Sequence, residues 1–410
     1  MKNKKTTFYL IASSLLILTL ALQVGCTSNG LEQKLKKIQL ESSVKQEELE
    51  QELLTIKEEA INHFYFQQLD TDKERRVYLQ FVNGLRKKEE TIDIDSVNEE
   101  IYTRVYFSVA NDYPEYYWLT DTMRDGIIYS DLSKPTYPKD VTFIEEQLKV
   151  KANAILNQAP SGSDYEKVKY FYETIIHETD YDLEALTNLD SSWDKQSITS
   201  VLLDKKSVCA GYSRTFQYLC KLANIECIYV GGIVKNETNE EFGHAWNLVK
   251  IGQQFYGVDT TWGDPVFEQA MGAEKISDIS YDYLCVTDEF LNRTRVADAD
   301  LLSYWGDDYY YQPRELSYPS CDDNSLNYYK LINAYFTSFN QETLVQTIAS
   351  QVQAGKTKVL VQFSKSEDLK QVIDLAATEN NILFDALGNV DSFQYYYNEQ
   401  TLTFELTNWK

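Results

Sequence analysis

Histidine is nearly absent from this chain. There are three in 410 residues, at 63, 177 and 244, so chemistry that needs several imidazoles is excluded. No zinc-type Cys/His spacing occurs. Proline and glycine are also scarce, 7 and 16 residues, which argues against long disordered stretches. The longest apolar run, Phe8 to Leu22, is about fifteen residues, short of the roughly twenty that a permanent membrane helix needs. Positive charge is in deficit, with 39 basic against 63 acidic side chains and a formal charge of −24. Such a surface repels phosphate backbones, so nucleic-acid binding is not expected. There is no phosphate-binding loop and no EF-hand spacing, so neither a metal nor a cofactor is called for.

What is present begins at the N-terminus. Basic residues Lys2, Lys4 and Lys5 precede the apolar run, and Gly25-Cys26 follows it. This is the order of a signal peptide over residues 1–25. The Gly25-Cys26 pair resembles a bacterial lipobox, with Gln23 where an aliphatic residue is usual. The resemblance implies lipidation of Cys26 and anchoring at the extracellular face of a bacterial cell membrane. Removal of residues 1–25 leaves 36 basic and 63 acidic side chains, a charge of −27. Of the six cysteines, Cys220, Cys227, Cys285 and Cys321 have no assigned task; they allow three disulfide pairings or remain packed thiols.

The chemistry concentrates in one window. Ser207-Val208-Cys209-Ala210-Gly211-Tyr212 is followed by Gly243-His244-Ala245-Trp246-Asn247 and then Val258-Asp259-Thr260-Thr261-Trp262-Gly263-Asp264. A thiol becomes a nucleophile beside an imidazole, and the imidazole needs a third group to hold its tautomer. Tyr212, Phe216, Leu219, Cys220 and Ala223 recur at helical spacing. With Ser207 as N-cap, Cys209 falls in the first turn of a buried helix, where unpaired backbone N–H groups favour a thiolate. Gly211 is expected to leave the surface near the sulfur open to a substrate backbone. The helix should stop near Asn224, and three strands follow: Cys227 to Val234, His244 to Ile251 and Phe255 to Trp262. A tight turn centred on Gln253 would set His244 opposite Trp262. A register shift, a bulge or a longer turn is then needed to bring Asp259 to the imidazole. An oxyanion hole would draw on the Cys209 backbone N–H, with Trp193 or Gln196 as weaker candidates for the second donor.

The three motifs together resemble the transglutaminase-like core of bacterial surface proteins, which belongs with the papain-like cysteine enzymes. The likeness covers Ser163 to Pro265. It implies Cys209 as nucleophile, His244 as general base and acid, and Asp259 as the group orienting the imidazole. It also implies a thioester formed on a protein or peptide glutamine carboxamide and resolved by an amine. Hydrolysis by the same residues, as in a protease or deamidase, and a non-catalytic surface binding protein are the alternatives. Tyr212, Trp246 and Trp262 are the candidates for substrate contact, although core packing is the commoner role for such aromatics.

The fold class expected is α+β: a papain/transglutaminase-like core, with a Cys-bearing helix on an antiparallel sheet, flanked by three other parts. Residues 26–69 read as a solvated helical spacer. Residues 70–160 read as an α+β accessory region with helices over 70–88 and 96–111, a strand over 90–95 and a β region after Asp112. The core takes 163–321, opened by the capping box Ser163/Glu166. Residues 322–410 suggest a small β-α-β-α-β-β domain beginning with a strand near Tyr328 to Phe336 and lacking an obvious catalytic residue.

Overall fold

The computed structural model describes residues 28–121, 123–124, 127–128, 131–186, 195–235, 240–264, 279–303, 311–379 and 381–410. The signal segment, Cys26, Trp193, Tyr309 and Tyr310 lie outside them. Residues up to Ala60 form one unit and residues 61–410 another. The first is helix α1, Ser28–Ala60. Its Lys and Glu side chains pair at helical spacing, as in Lys36–Glu32 at 2.9 Å, the arrangement of a solvated helix. It ends at Ala60, not at Leu69. The residues beyond it make a separate short helix, Phe64–Gln67, because His63 is extended (φ −83°, ψ 134°). Among the described residues no helix is long and apolar enough to cross a membrane.

The second unit opens with α2 (Asp72–Lys87) and α3 (Glu99–Asp112). A capping box of Thr71 and Glu74 starts α2, and Lys88 in the left-handed region (φ 53°) stops it. The expected strand at 90–95 does not form. Its backbone instead takes single bonds, from Ile92 N–H to Ser133 O and from Asp95 N–H to the Gln80 side chain. Of the β region expected after Asp112, the described residues hold a helical turn (Trp118–Asp121) and one short hairpin pairing Met123–Arg124 with Ile127–Ile128. Helices α4 (Val141–Leu156) and α5 (Asp164–Glu178) follow. Ser163 and Glu166 form the expected capping box on α5.

Strand β1 (Asp180–Tyr181), helix α6 (Ile198–Leu202), strand β2 (Lys206–Ser207) and helix α7 (Cys209–Leu222) lead into the main sheet. Its strands are β3 (Cys227–Lys235), β4 (Glu241–Ile251), β5 (Gln254–Val258), β6 (Leu284–Val286) and β7 (Arg295–Ala297), ordered β6-β5-β4-β3-β7 and antiparallel throughout. Helix α7 lies on β3 and β4 with α5 and α6 against it. Tyr212, Phe216, Leu219 and Cys220 are fully buried there. Burying four such side chains at about 1.5–3 kcal/mol for each large apolar one fixes the helix that carries Cys209. Asn247 reinforces the join by donating from β4 to the Ser213 and Ile228 carbonyls.

The last segment builds a second sheet from β8 (Tyr335–Phe336), β9 (Lys358–Phe363), β10 (Gln394–Asn398) and β11 (Thr403–Thr407), in the order β8-β9-β11-β10. Helices α8 (Gln341–Gln353) and α9 (Ser366–Ala376) cover it through Leu344, Ile348, Leu369 and Val372. The expected first strand is shorter, because Tyr328–Leu331 is helical. Asn327 caps that turn, and Asn333 (φ 56°) ends it. The five described cysteines outside the lipobox are free thiols.

Candidate active site

Cys209 is the first residue of α7, and its side chain is partly exposed. Its N-cap is Val208, extended and without a side-chain cap bond. Ser207 is therefore not the cap. Its hydroxyl points inward, 2.7 Å from the Ser200 hydroxyl and 3.0 Å from the Lys195 carbonyl. Gly211 belongs to the same cage and does not face a substrate. A Cβ there would sit 2.1 Å from Ser207 Oγ and 2.6 Å from Ser200 Oγ. The helix ends at Leu222, with Asn224 left-handed (φ 59°) as expected. In parallel pairing, β1 sets Tyr181 beside Ser207, two residues before the sulfur. The Tyr181 hydroxyl receives the Cys209 backbone N–H, and burial holds that phenol well above its ordinary range.

His244 is buried on β4, opposite Gly232 of β3. Gly232 has to be glycine, because a Cβ would meet the Val296 carbonyl at 2.3 Å and the Trp246 ring at 2.8 Å. His244 Nε2 lies 2.8 Å from Asp259 Oδ2. The Cys209 side chain is a hydrogen-bond partner of the same imidazole. The β4/β5 ladder explains how Asp259 arrives. Its turn is two residues, with Ile251 paired to Gln254 and Asn247 to Val258. Carried one step further, this register sets Asp259 beside Trp246, on the same face as His244 and one diagonal away, within reach of an imidazole. The pairing is shifted by one residue from a turn centred on Gln253, and that shift turns Asp259 onto the face of His244; neither a bulge nor a longer turn is used in this pair. The irregularity in β5 faces β6, at Gly257/Val258.

Asp259 is saturated with donors. Oδ1 accepts the backbone N–H groups of Thr261 and Trp262, each at 3.1 Å. Oδ2 accepts His244 and also Arg295, from Nη2 at 2.6 Å and Nε at 3.1 Å. Both the Asp259 and Arg295 side chains are 0 % exposed. Burial works against the Asp259 charge, but His244 and Arg295 outweigh it and hold the carboxyl down at about 2. Burial likewise works against a charged His244, but Asp259 and the Cys209 sulfur hold the imidazole up at about 9. The site therefore favours an imidazolium between a carboxylate and a sulfur, the ionic arrangement from which a thiolate attacks.

The substrate-contact candidates divide. Trp246 and Trp262 flank the imidazole, with ring centroids 6.1 and 6.4 Å from it, and both are buried. Tyr212 lies inside α7's packed face. Its hydroxyl donates to Asp264 Oδ2 at 2.5 Å and lies 3.0 Å from the Thr179 carbonyl, so it offers no surface to a ligand. Gln196 is half-buried beside the Lys195 carbonyl cage. Among the described residues no group of three or more His, Cys, Asp or Glu side chains is placed to hold a metal ion.

The family model of the transglutaminase-like superfamily matches residues 153–260, which contain Cys209, His244 and Asp259. The chain carries a transglutaminase-like domain. Its architecture is the expected α+β one, with the cysteine helix on an antiparallel sheet. Two curated relatives share this domain. Kyphoscoliosis peptidase of Mus musculus is 35% identical over 108 residues, 25% of this chain and 16% of that protein. The Homo sapiens protein of the same name is 34% identical over 108 residues, with the same shares. The match thus spans about a sixth of those relatives' length. A solved structure described as a TGase covers 35% of this chain and 36% of its own at 18% identity and a TM-score of 0.27.

Arg295 and Tyr181 were not legible in the motifs of the transglutaminase-like domain. Arg295 comes from β7, some thirty-six residues past Asp259 in the chain, and no spacing rule links the two. The signal for Tyr181 was faint: an aromatic flanked by Asp180 and Asp182 just after α5.

Proposed function

We propose that this chain is a cysteine acyltransferase. Cys209 attacks the carboxamide of a protein or peptide glutamine, the C–N bond breaks, and the departing nitrogen takes its proton from the His244 imidazolium. The resulting thioester is opened by an amine, whose proton returns to His244. The observation that carries this reading is the single chain of contacts from the Cys209 side chain through His244 to Asp259, closed by the 2.8 Å bond. The buried indoles of Trp246 and Trp262 beside the imidazole support an amine over water as acceptor, since apolar walls exclude water from the thioester.

Hydrolysis is the second reading. It is favoured by the relatives' name, peptidase, over the same segment. Incubation of the purified chain with a glutamine peptide and a labelled primary amine separates the two. Covalent incorporation of the amine supports transfer. Ammonia release or backbone cleavage without incorporation supports hydrolysis, and no Cys209-dependent product of either kind overturns both. As part of the same proposal, Cys26 carries a lipid that holds the enzyme at the extracellular face of a bacterial membrane. Metabolic labelling with a fatty acid, lost in Cys26→Ala, tests that placement.

A further inference from the structure

The carboxylate that holds His244 is shared. Arg295 reaches Asp259 from the opposite edge of the five-stranded sheet and binds the same oxygen that receives the imidazole. Its third nitrogen, Nη1, donates to Thr294 Oγ1 at 2.7 Å. Its planar face lies against two aromatic rings, 4.2 Å from the Tyr283 centroid and 4.8 Å from that of Trp262. A guanidinium fixed on every side is preorganised, and burying it demands a purpose, because an ion pair inside a protein is seldom worth its desolvation for stability alone.

We infer that Arg295 is a positioning residue of this site: it keeps Asp259 ionised and turned toward His244, and by sharing Oδ2 it limits how strongly that carboxylate stabilises the imidazolium. The inference rests on the proposed cysteine chemistry and names what regulates it. A carboxylate with only the imidazole as partner would hold the proton too tightly for efficient delivery to the departing nitrogen, since a general acid works best when its pKa lies near the working pH. Compensating the carboxylate with a fixed cation brings the imidazolium back toward that range. The charge environment supports the assignment. The Cys209 thiol faces His244 from α7, the Asp259 carboxylate from the end of β5 and Arg295 from β7 through Asp259. Strand β1 brings the Tyr181 phenol to the sulfur, and β3 sets Gly232 opposite the ring and carries the Tyr229 phenol, which also interacts with Cys209. Asp182, next to Tyr181, is neutralised by Lys206 at 3.0 Å. Among the described residues Arg295 is thus the permanent cation that shares the carboxylate with the imidazolium. It lies beyond residue 260, so the segment that matches the family model does not by itself contain the complete arrangement.

The full-length chain has three histidines, so the His244 ring signal in a histidine-labelled NMR spectrum is assigned by its loss in His244→Gln. In Arg295→Met the His244 titration midpoint is expected to rise by about one unit, because a like charge that shares the same carboxylate no longer disfavours the imidazolium. Arg295→Lys, which keeps the charge but loses the fork, is expected to move it less. Turnover should fall on order of tenfold in kcat with KM little changed. A folded Arg295→Met protein with its His244 midpoint and kcat unmoved overturns the inference and leaves Arg295 a packing residue. If Arg295→Met does not fold, Arg295→Lys decides by the same two readings. The NMR midpoint needs no turnover, so a chain lacking enzyme activity would sink the proposed function while still reporting on Arg295.

Discussion

His244 and Asp259 meet on a diagonal of the β4/β5 ladder, 2.8 Å apart, from strands joined by a two-residue turn. The bond depends on no flexible loop, so its loss should be felt in chemistry before architecture. Asp259→Asn is expected to lower kcat by about 10⁴-fold, the scale seen when a triad aspartate is replaced by its amide and the imidazole loses its tautomer. Arg295 would also lose its anion, so the variant should melt lower. Amine incorporation and thermal unfolding, measured together, check this; a variant with near-normal kcat would refute the role of Asp259.

The two shifted groups set opposite ends of a pH window. His244 titrates at about 9 in the folded chain against an ordinary 6.5. Its contribution to stability is complete below pH 6.5 and is lost as pH rises through 9. Asp259 titrates at about 2 against 3.8, so its contribution is present above pH 3.8 and is lost as pH falls through 2. Denaturant midpoints of the wild type and His244→Gln should therefore converge between pH 6.5 and 9.5. A constant gap across that range would count against the His244–Asp259 pair.

Thiol reactivity should single out one sulfur. Burial pushes Cys220, Cys285 and Cys321 up, whereas Cys209 is partly exposed at a helix start beside His244. Iodoacetamide at pH 7 is expected to modify Cys209 before those three, and His244→Ala should remove the preference. Peptide mapping by mass spectrometry reads the order directly.

Gly211 gives a structural prediction next to the site. A methyl there collides with two hydroxyls and the Lys195 carbonyl, all within 2.7 Å. Gly211→Ala should cost about 1–3 kcal/mol through overpacking and displace the first turn of α7. A fall in both Tm and Cys209 reactivity is expected. An unaffected melt would mean the cage yields without cost.

The cysteine helix and its strands could be read in advance because each rests on local pattern. Helical spacing from Tyr212 to Cys220 marks the helix, although the structure buries all of Ala210 to Cys220 and not one face alone, and the strand run around Tyr229 is filled with β-branched residues. Short elements were harder. Residues 90–95 look like a strand, but among the described residues they find single partners, Ser133 and the Gln80 side chain, and no ladder, and Tyr328–Leu331 is turned into helix by the cap that Asn327 supplies. Gly211 looked like an opening for substrate because a sequence does not show which way a missing Cβ would point.

The order Cys, His, Asp and the elements that bear them are properties of the amino-acid sequence alone, since hydrophobic period and capping act over a few residues. The diagonal that joins His244 to Asp259 follows from strand register. The arrival of Tyr181 at the Cys209 backbone and of Arg295 at the far side of Asp259 follows from how separate strands pair. These belong to the tertiary structure, because burying a charge beside its partner requires the whole sheet to close around both.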